Sequence, residues 1–113
     1  MQVITYCRAS TTAPGHDSQT QLLALREHCA HMGWEIVSEC TDISSATDLR
    51  NRKQWRRLMD RCARPQPGFK AILVLSFDRA FRSAKVLYHA LQVMDQNDIV
   101  LVSVADNLDK ATA

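Results

Sequence analysis

Ser10 stands two residues after Arg8, at the end of an apolar run that begins at Val3. A serine hydroxyl is a weak nucleophile, so it needs an activating base or strong stabilisation of the charge its attack creates. Where the attacked group is a phosphodiester, arginine supplies that stabilisation. Its planar, permanently charged fork matches the non-bridging oxygens in bidentate fashion. A second segment, Asp78-Arg79-Ala80-Phe81-Arg82, offers two more forks and a carboxylate. Arg79 and Arg82 are three apart, so one helical turn puts both on one face. Arg8, Arg79 and Arg82 together could take the place of metal ions at a phosphoryl-transfer centre. Each cluster alone also has a plain reading: a serine after a strand is a cap or turn residue, and Asp78 pairs with Arg79 or Arg82 at the surface.

These segments meet only if the fold gathers them. Residues 3–7 are β-prone and end at Arg8. Residues 11–17 read as a loop, with Pro14-Gly15 marking a turn and Asp17 or Ser18 capping the following helix. Leu22, Leu25, Cys29 and Met32 recur at helical spacing, and Gly33 closes that helix. Residues 34–40 read as a second strand and 41–51 as a polar connection. Trp55, Leu58, Met59 and Cys62 mark one face of a second helix. Residues 71–75 form a continuous apolar run, as in a strand buried on both faces. A third helix spans 84–96 with Ser83 as its cap, and 98–104 is a further buried strand. The chain is polar after Asp106. The alternation predicts an α/β fold, a mostly parallel central β-sheet with right-handed crossovers and helices on both faces. Ligands of such sheets bind beyond the carboxyl ends of the strands. Ser10 and Arg8, then Asp42, Ser44 and Ser45, then Asp78, Arg79 and Arg82 all fall at that edge.

The length of 113 residues fits one domain. The net charge of +2 says little, but its distribution says more. Arg50, Arg52, Lys53, Arg56, Arg57, Arg61 and Arg64 are opposed in their window by Asp60 alone. Such a stripe either meets a phosphate backbone or is a solvated helix face. The four cysteines contain no C-x-x-C pair, so they read as reduced, packed thiols rather than a zinc site. His28, Cys29 and His31 do not share a helix face, and no dense set of carboxylates suggests another metal. No run approaches the roughly 20 apolar residues of a membrane span, and no secretion signal opens the chain. A cytoplasmic protein is expected.

The motifs resemble those of the serine recombinases, the family of resolvases, invertases and large phage integrases. Tyr6-Cys7-Arg8-Ala9-Ser10 is similar to the family's Tyr-x-Arg-x-Ser. Phe77-Asp78-Arg79-Ala80-Phe81-Arg82 is similar to its Leu-Asp-Arg-x-x-Arg. Gln21 occupies the place of an active-site glutamine. Asp42-Ile43-Ser44-Ser45-Ala46 resembles an Asp-x-x-Ser-Gly loop, and Arg52-Lys53-Gln54-Trp55 an Arg-x-x-Leu that opens the next helix. The resemblance runs from Val3 to Asp106. Departures are Ala46 for glycine, Lys53 where proline is common, and Ala80-Phe81 for Leu-Ser or Leu-Gly.

The resemblance implies a flavodoxin-like three-layer catalytic domain over residues 1–113. It implies site-specific recombination of double-stranded DNA, by cleavage and rejoining through a 5′-phosphoserine intermediate, with no metal or cofactor. Ser10 is then the nucleophile, and Arg8, Arg79, Arg82 and Arg52 hold the scissile phosphate. Asp78 either positions the arginines or acts in proton transfer. Tyr6, Gln21, Asp42 and Ser45 are supporting residues. Family members act as homodimers and homotetramers. They continue into a long helix and a DNA-binding domain, both beyond the end of this chain, so the isolated chain is expected to fold without recombining DNA. The alternative is a non-catalytic regulatory or oligomerisation module of the same fold. An unrelated flavodoxin-like ligand domain would want a glycine-rich phosphate loop, which three glycines do not provide.

Overall fold

The computed structural model describes residues 1–9, 14–43, 52–81, 83–105 and 108–110, with backbone alone at 14–17 and 108–110. Its elements are β1 (Gln2–Ala9), α1 (Pro14–Met32), β2 (Glu35–Ile43), α2 (Lys53–Cys62), β3 (Ala71–Val74), α3 (Phe77–Ala80), α4 (Ala84–Asp95), β4 (Val100–Ser103) and β5 (Leu108–Lys110). The sheet order is β2-β1-β3-β4-β5. The first four strands pair in parallel, and β5 adds an antiparallel edge. The α/β sheet read from the sequence is therefore present.

Alternation along the strands sorts two cores. Val3, Cys7, Ala71, Leu73 and Val102 meet Leu25 and Cys29 of α1 on one face. Ile4, Tyr6, Ile72, Val74 and Leu101 meet α2 and α4 on the other. All four residues of β3 are buried, as its unbroken apolar sequence requires of a central strand.

Several boundaries differ from the sequence reading. Pro14-Gly15 marks no turn, because Pro14 opens α1. Proline suits a first helical position, where its missing N–H would have had no partner. Gly33 takes φ +72° just past the helix, the left-handed closing conformation expected of it. Met32 is 47% exposed, not core. β2 runs on through Thr41, Asp42 and Ile43, since β1 extends to Ala9 and pairs with it throughout. The polar end of the chain contributes β5, whose pairing with β4 uses main-chain groups and leaves little mark on composition.

Candidate active site at the carboxyl edge of the sheet

The strand order reverses direction at β1, which has β2 on one side and β3 on the other. In an open α/β sheet such a point leaves a crevice beyond the carboxyl ends of the strands. Arg8 and Asp42 lie opposite each other in the β1–β2 register. Arg8 also shares a face with Tyr6, two residues earlier, on the side covered by α2 and α4.

Asp42 organises this edge. It is buried, and its Oδ2 accepts the Tyr6 hydroxyl at 2.9 Å. Its two oxygens also accept the backbone N–H groups of Gln54 and Trp55, each at 2.9 Å. Those N–H groups belong to the first turn of α2, which has no acidic residue of its own there. A carboxylate from β2 thus satisfies helix donors that an N-cap side chain would otherwise serve. Burial, reinforced by the Asp42 charge, raises the Tyr6 pKa well above the ordinary phenol value, while the Arg52 and Arg8 charges pull the other way. Tyr6 is a fixed hydrogen-bond donor, not a base.

Arg52 precedes α2 and is 1% exposed. Its Nη1 donates to the Ala80 carbonyl at 2.5 Å. Arg8 Nε donates to the neighbouring carbonyl, that of Arg79, at 2.6 Å. Two arginines from separate elements therefore grip consecutive carbonyls at the end of α3. That turn is capped by Ser76, whose Oγ accepts the Arg79 N–H at 3.3 Å. Asp78 and Arg79 are exposed at its rim. Gln21 is 2% exposed and reaches from α1, on the opposite face of the sheet, to donate to the Arg8 carbonyl at 3.0 Å.

The structure brings together Tyr6, Arg8, Gln21, Asp42, Arg52 and Arg79. Ser10, Ser45 and Arg82 lie outside the described residues. Among the described residues α3 ends at Ala80 and Phe81 is extended, at φ −137° and ψ 117°; the expected pairing of Arg79 with Arg82 on one helical turn falls on a residue outside them. The sequence reading missed what lies beneath the arginines. Trp55 packs between Tyr6 and Phe81, with ring centroids 4.9 and 4.8 Å away. The signal available was a pair of aromatic residues, Trp55 and Phe81, at positions where the motifs carry smaller side chains.

The basic stripe divides. Arg61 turns inward, donating to the Pro67 carbonyl at 3.2 Å and lying 5.3 Å from the centre of the Phe69 ring. Lys53, Arg56, Arg57 and Arg64 are exposed. Arg56 also borders a groove of about 570 Å³ between α2 and α4, with Lys85 and His89. No disulfide joins the described cysteines. Burial raises the thiols of Cys29 and Cys40 and pushes Cys62 up to about 12, so these three are packing groups rather than nucleophiles. Among the described residues no cluster could hold a metal ion, and no helix is long and apolar enough to cross a membrane.

Solved structures share this architecture. The N-terminal catalytic domain of TP901-1 integrase is 26% identical, with a TM-score of 0.80 covering 100% of this chain and 84% of that one. A resolvase family site-specific recombinase from Streptococcus pneumoniae is 24% identical, with a TM-score of 0.82 over 96% of this chain and 75% of that one. The C-terminal catalytic domain of ISC1926 TnpA, an IS607-like serine recombinase, is 18% identical, with a TM-score of 0.81 over 92% and 70%. At these identities the latter two speak for the fold. No curated protein sequence matches the chain significantly. The family model described as the resolvase N-terminal domain matches residues 3–113, and the chain belongs to that family.

Proposed function

We propose that this domain carries the strand-cleavage chemistry of site-specific DNA recombination, with Ser10 as nucleophile. The observation that supports this most is the bond from Arg8 to the Arg79 carbonyl. It ties the segment that leads into Ser10 to the segment that bears Asp78, Arg79 and Arg82, at the edge where an α/β sheet binds ligands.

In this reading the Ser10 oxygen attacks a backbone phosphorus as its proton leaves. The bond from phosphorus to the 3′ oxygen breaks, and that oxygen departs as a 3′-hydroxyl carrying a proton. A 5′-phosphoserine ester remains and retains the bond energy, so a 3′-hydroxyl can reverse the attack after strands exchange. Charge gathers on the non-bridging oxygens, where arginine forks are worth most in a site shielded from water. Arg8, Arg79 and Arg82 take that role. A guanidinium has five N–H donors, and the Arg79 carbonyl takes one of Arg8's. Arg52, fully buried, acts by holding the turn. Asp78, at the exposed rim, either orients the neighbouring arginines or moves a proton. Gln21 and Asp42 set the backbone on either side of Arg8. Lys53, Arg56 and Arg57 offer a duplex further cations, and recombination of two sites calls for paired copies of the chain.

The test is covalent trapping. The chain is fused to a sequence-specific DNA-binding domain and given a nicked duplex bearing that domain's sites. The expected product is a denaturation-resistant protein–DNA adduct, absent with Ser10→Ala. A folded, DNA-bound parent that forms no adduct would instead support a regulatory or oligomerisation module of the same fold.

A further inference from the structure

The four-residue helix α3 is too short to be stable by its own hydrogen bonds. Yet its last two carbonyls, those of Arg79 and Ala80, are the points on which Arg8 and Arg52 close. A shift of those carbonyls therefore breaks a bond to each arginine. Inside the turn, the Phe81 N–H bonds the Phe77 carbonyl at 2.7 Å and the Ala80 N–H bonds the Ser76 carbonyl at 3.2 Å. Beyond the turn, Phe81 leaves the helix in extended conformation. Its ring is 6% exposed and stands edge-on to Trp55 at 68°. Trp55 is itself placed by its backbone N–H on Asp42 and by its ring against the Tyr6 ring. The two aromatic residues stand where the motifs quoted above have leucine and serine or glycine, and they touch each other.

We propose that Phe81, seated on Trp55, is a positioning residue that keeps the Arg79 and Ala80 carbonyls under the Arg8 and Arg52 guanidinium groups and so sets the phosphate-binding arginines. Its catalytic consequence rests on the recombination reading above; its structural part does not. The ring is a wedge between α2 and α3, and a small side chain at position 81 would free the turn to move off both arginines. Because Trp55 is the seat, the two residues act as one unit. Displacements near 1 Å at a reacting group cost on the order of 100-fold in rate.

Three variants test this: Phe81→Ser, Phe81→Tyr and Trp55→Leu. The first readout needs no activity. In the whole chain, the Arg8 Nε–H proton is followed by NMR as it exchanges with water. The proposal expects exchange to speed up about 10-fold or more in F81S and W55L and to stay near the parent value in F81Y. The second readout is single-turnover adduct formation at saturating DNA, per folded molecule. F81S should lose about 100-fold, F81Y should retain the parent rate within about 3-fold, and the W55L/F81S double variant should be no slower than the worse single one. Unchanged Arg8 exchange in folded F81S would overturn the proposal. So would a parent-like adduct rate per folded molecule, or multiplicative losses in the double variant. If F81S does not fold, F81L and W55L carry the same comparison. A parent that forms no adduct while Arg8 exchange responds as expected would sink the recombination reading and leave the positioning role standing.

Discussion

The two faces of the sheet are built from different material. Beneath α1 lie aliphatic side chains and thiols, Val3, Cys7, Leu25, Cys29 and Leu73, packed against one another. Beneath α2 and α4 the core adds the rings of Tyr6, Trp55, Phe69 and Phe81 to its aliphatic side chains, and at the carboxyl edge it passes into buried polar groups, Tyr6, Asp42 and Arg52, each with a named partner. A buried charge is costly unless its hydrogen bonds are made, so the second face holds together only if Asp42 and Arg52 keep their partners. On the α1 face Gln21 reaches the site but the packing around Leu25 and Cys29 does not, so stability and site geometry are separable in that packing and coupled on the α2–α4 face.

Substitutions can break that contrast. The largest stability loss should come from Leu25→Ala on the α1 face, about 2–5 kcal/mol for a fully buried leucine. Chemical denaturation measures it, and the adduct rate per folded molecule should be untouched. A slowed rate would erase the distinction between the faces. Asp42→Ala should cost about 2–3 kcal/mol, because it strips the first turn of α2 and leaves a buried Tyr6 hydroxyl without its acceptor. Here the adduct rate should fall as well. Tyr6→Phe removes one donor and leaves Asp42 two others, so about 1 kcal/mol is expected. Thr5→Val is the smallest change. Its hydroxyl is buried with no hydrogen-bond partner on the α1 face, and an apolar isostere should leave thermal stability unchanged or raised by up to about 1 kcal/mol.

Alkaline titration sharpens the same comparison. The Cys62 thiol ionises near 9 when free of the fold and near 12 within it. A raised native pKa means stability is fully present below pH 9 and is lost as pH rises toward 12. Cys62→Val should flatten that decline, measured by denaturant midpoints across the range.

The layer order and the parallel strands could be read from periodicity, because β3 is apolar throughout while α2 shows its buried Trp55, Leu58 and Cys62 at helical spacing. The gathering of Arg8, Asp42 and Arg79 followed from that order, since each lies just past a strand or at its end. Two things were not readable. Pro14 looks the same whether it opens a helix or bends a loop, until its neighbours are placed. The buried role of Arg52 and the wedge of Phe81 on Trp55 depend on contacts between segments about 28 residues apart, for which local pattern carries no signal. Arg52 stands in the basic stripe beside Lys53, Arg56 and Arg57, and the family resemblance marks it as a phosphate-holding arginine; its burial and its bond to the Ala80 carbonyl come from the fold alone.

The central claim is that Ser10 becomes joined to a 5′-phosphate. The direct measurement is mass spectrometry of the trapped adduct after nuclease and protease digestion, with end analysis of the released strand. Nucleotide mass on the peptide at Ser10 and a free 3′-hydroxyl on the other strand end are expected. Nucleotide mass on any other residue, or a 3′-phosphoryl link with a free 5′-hydroxyl, would contradict it.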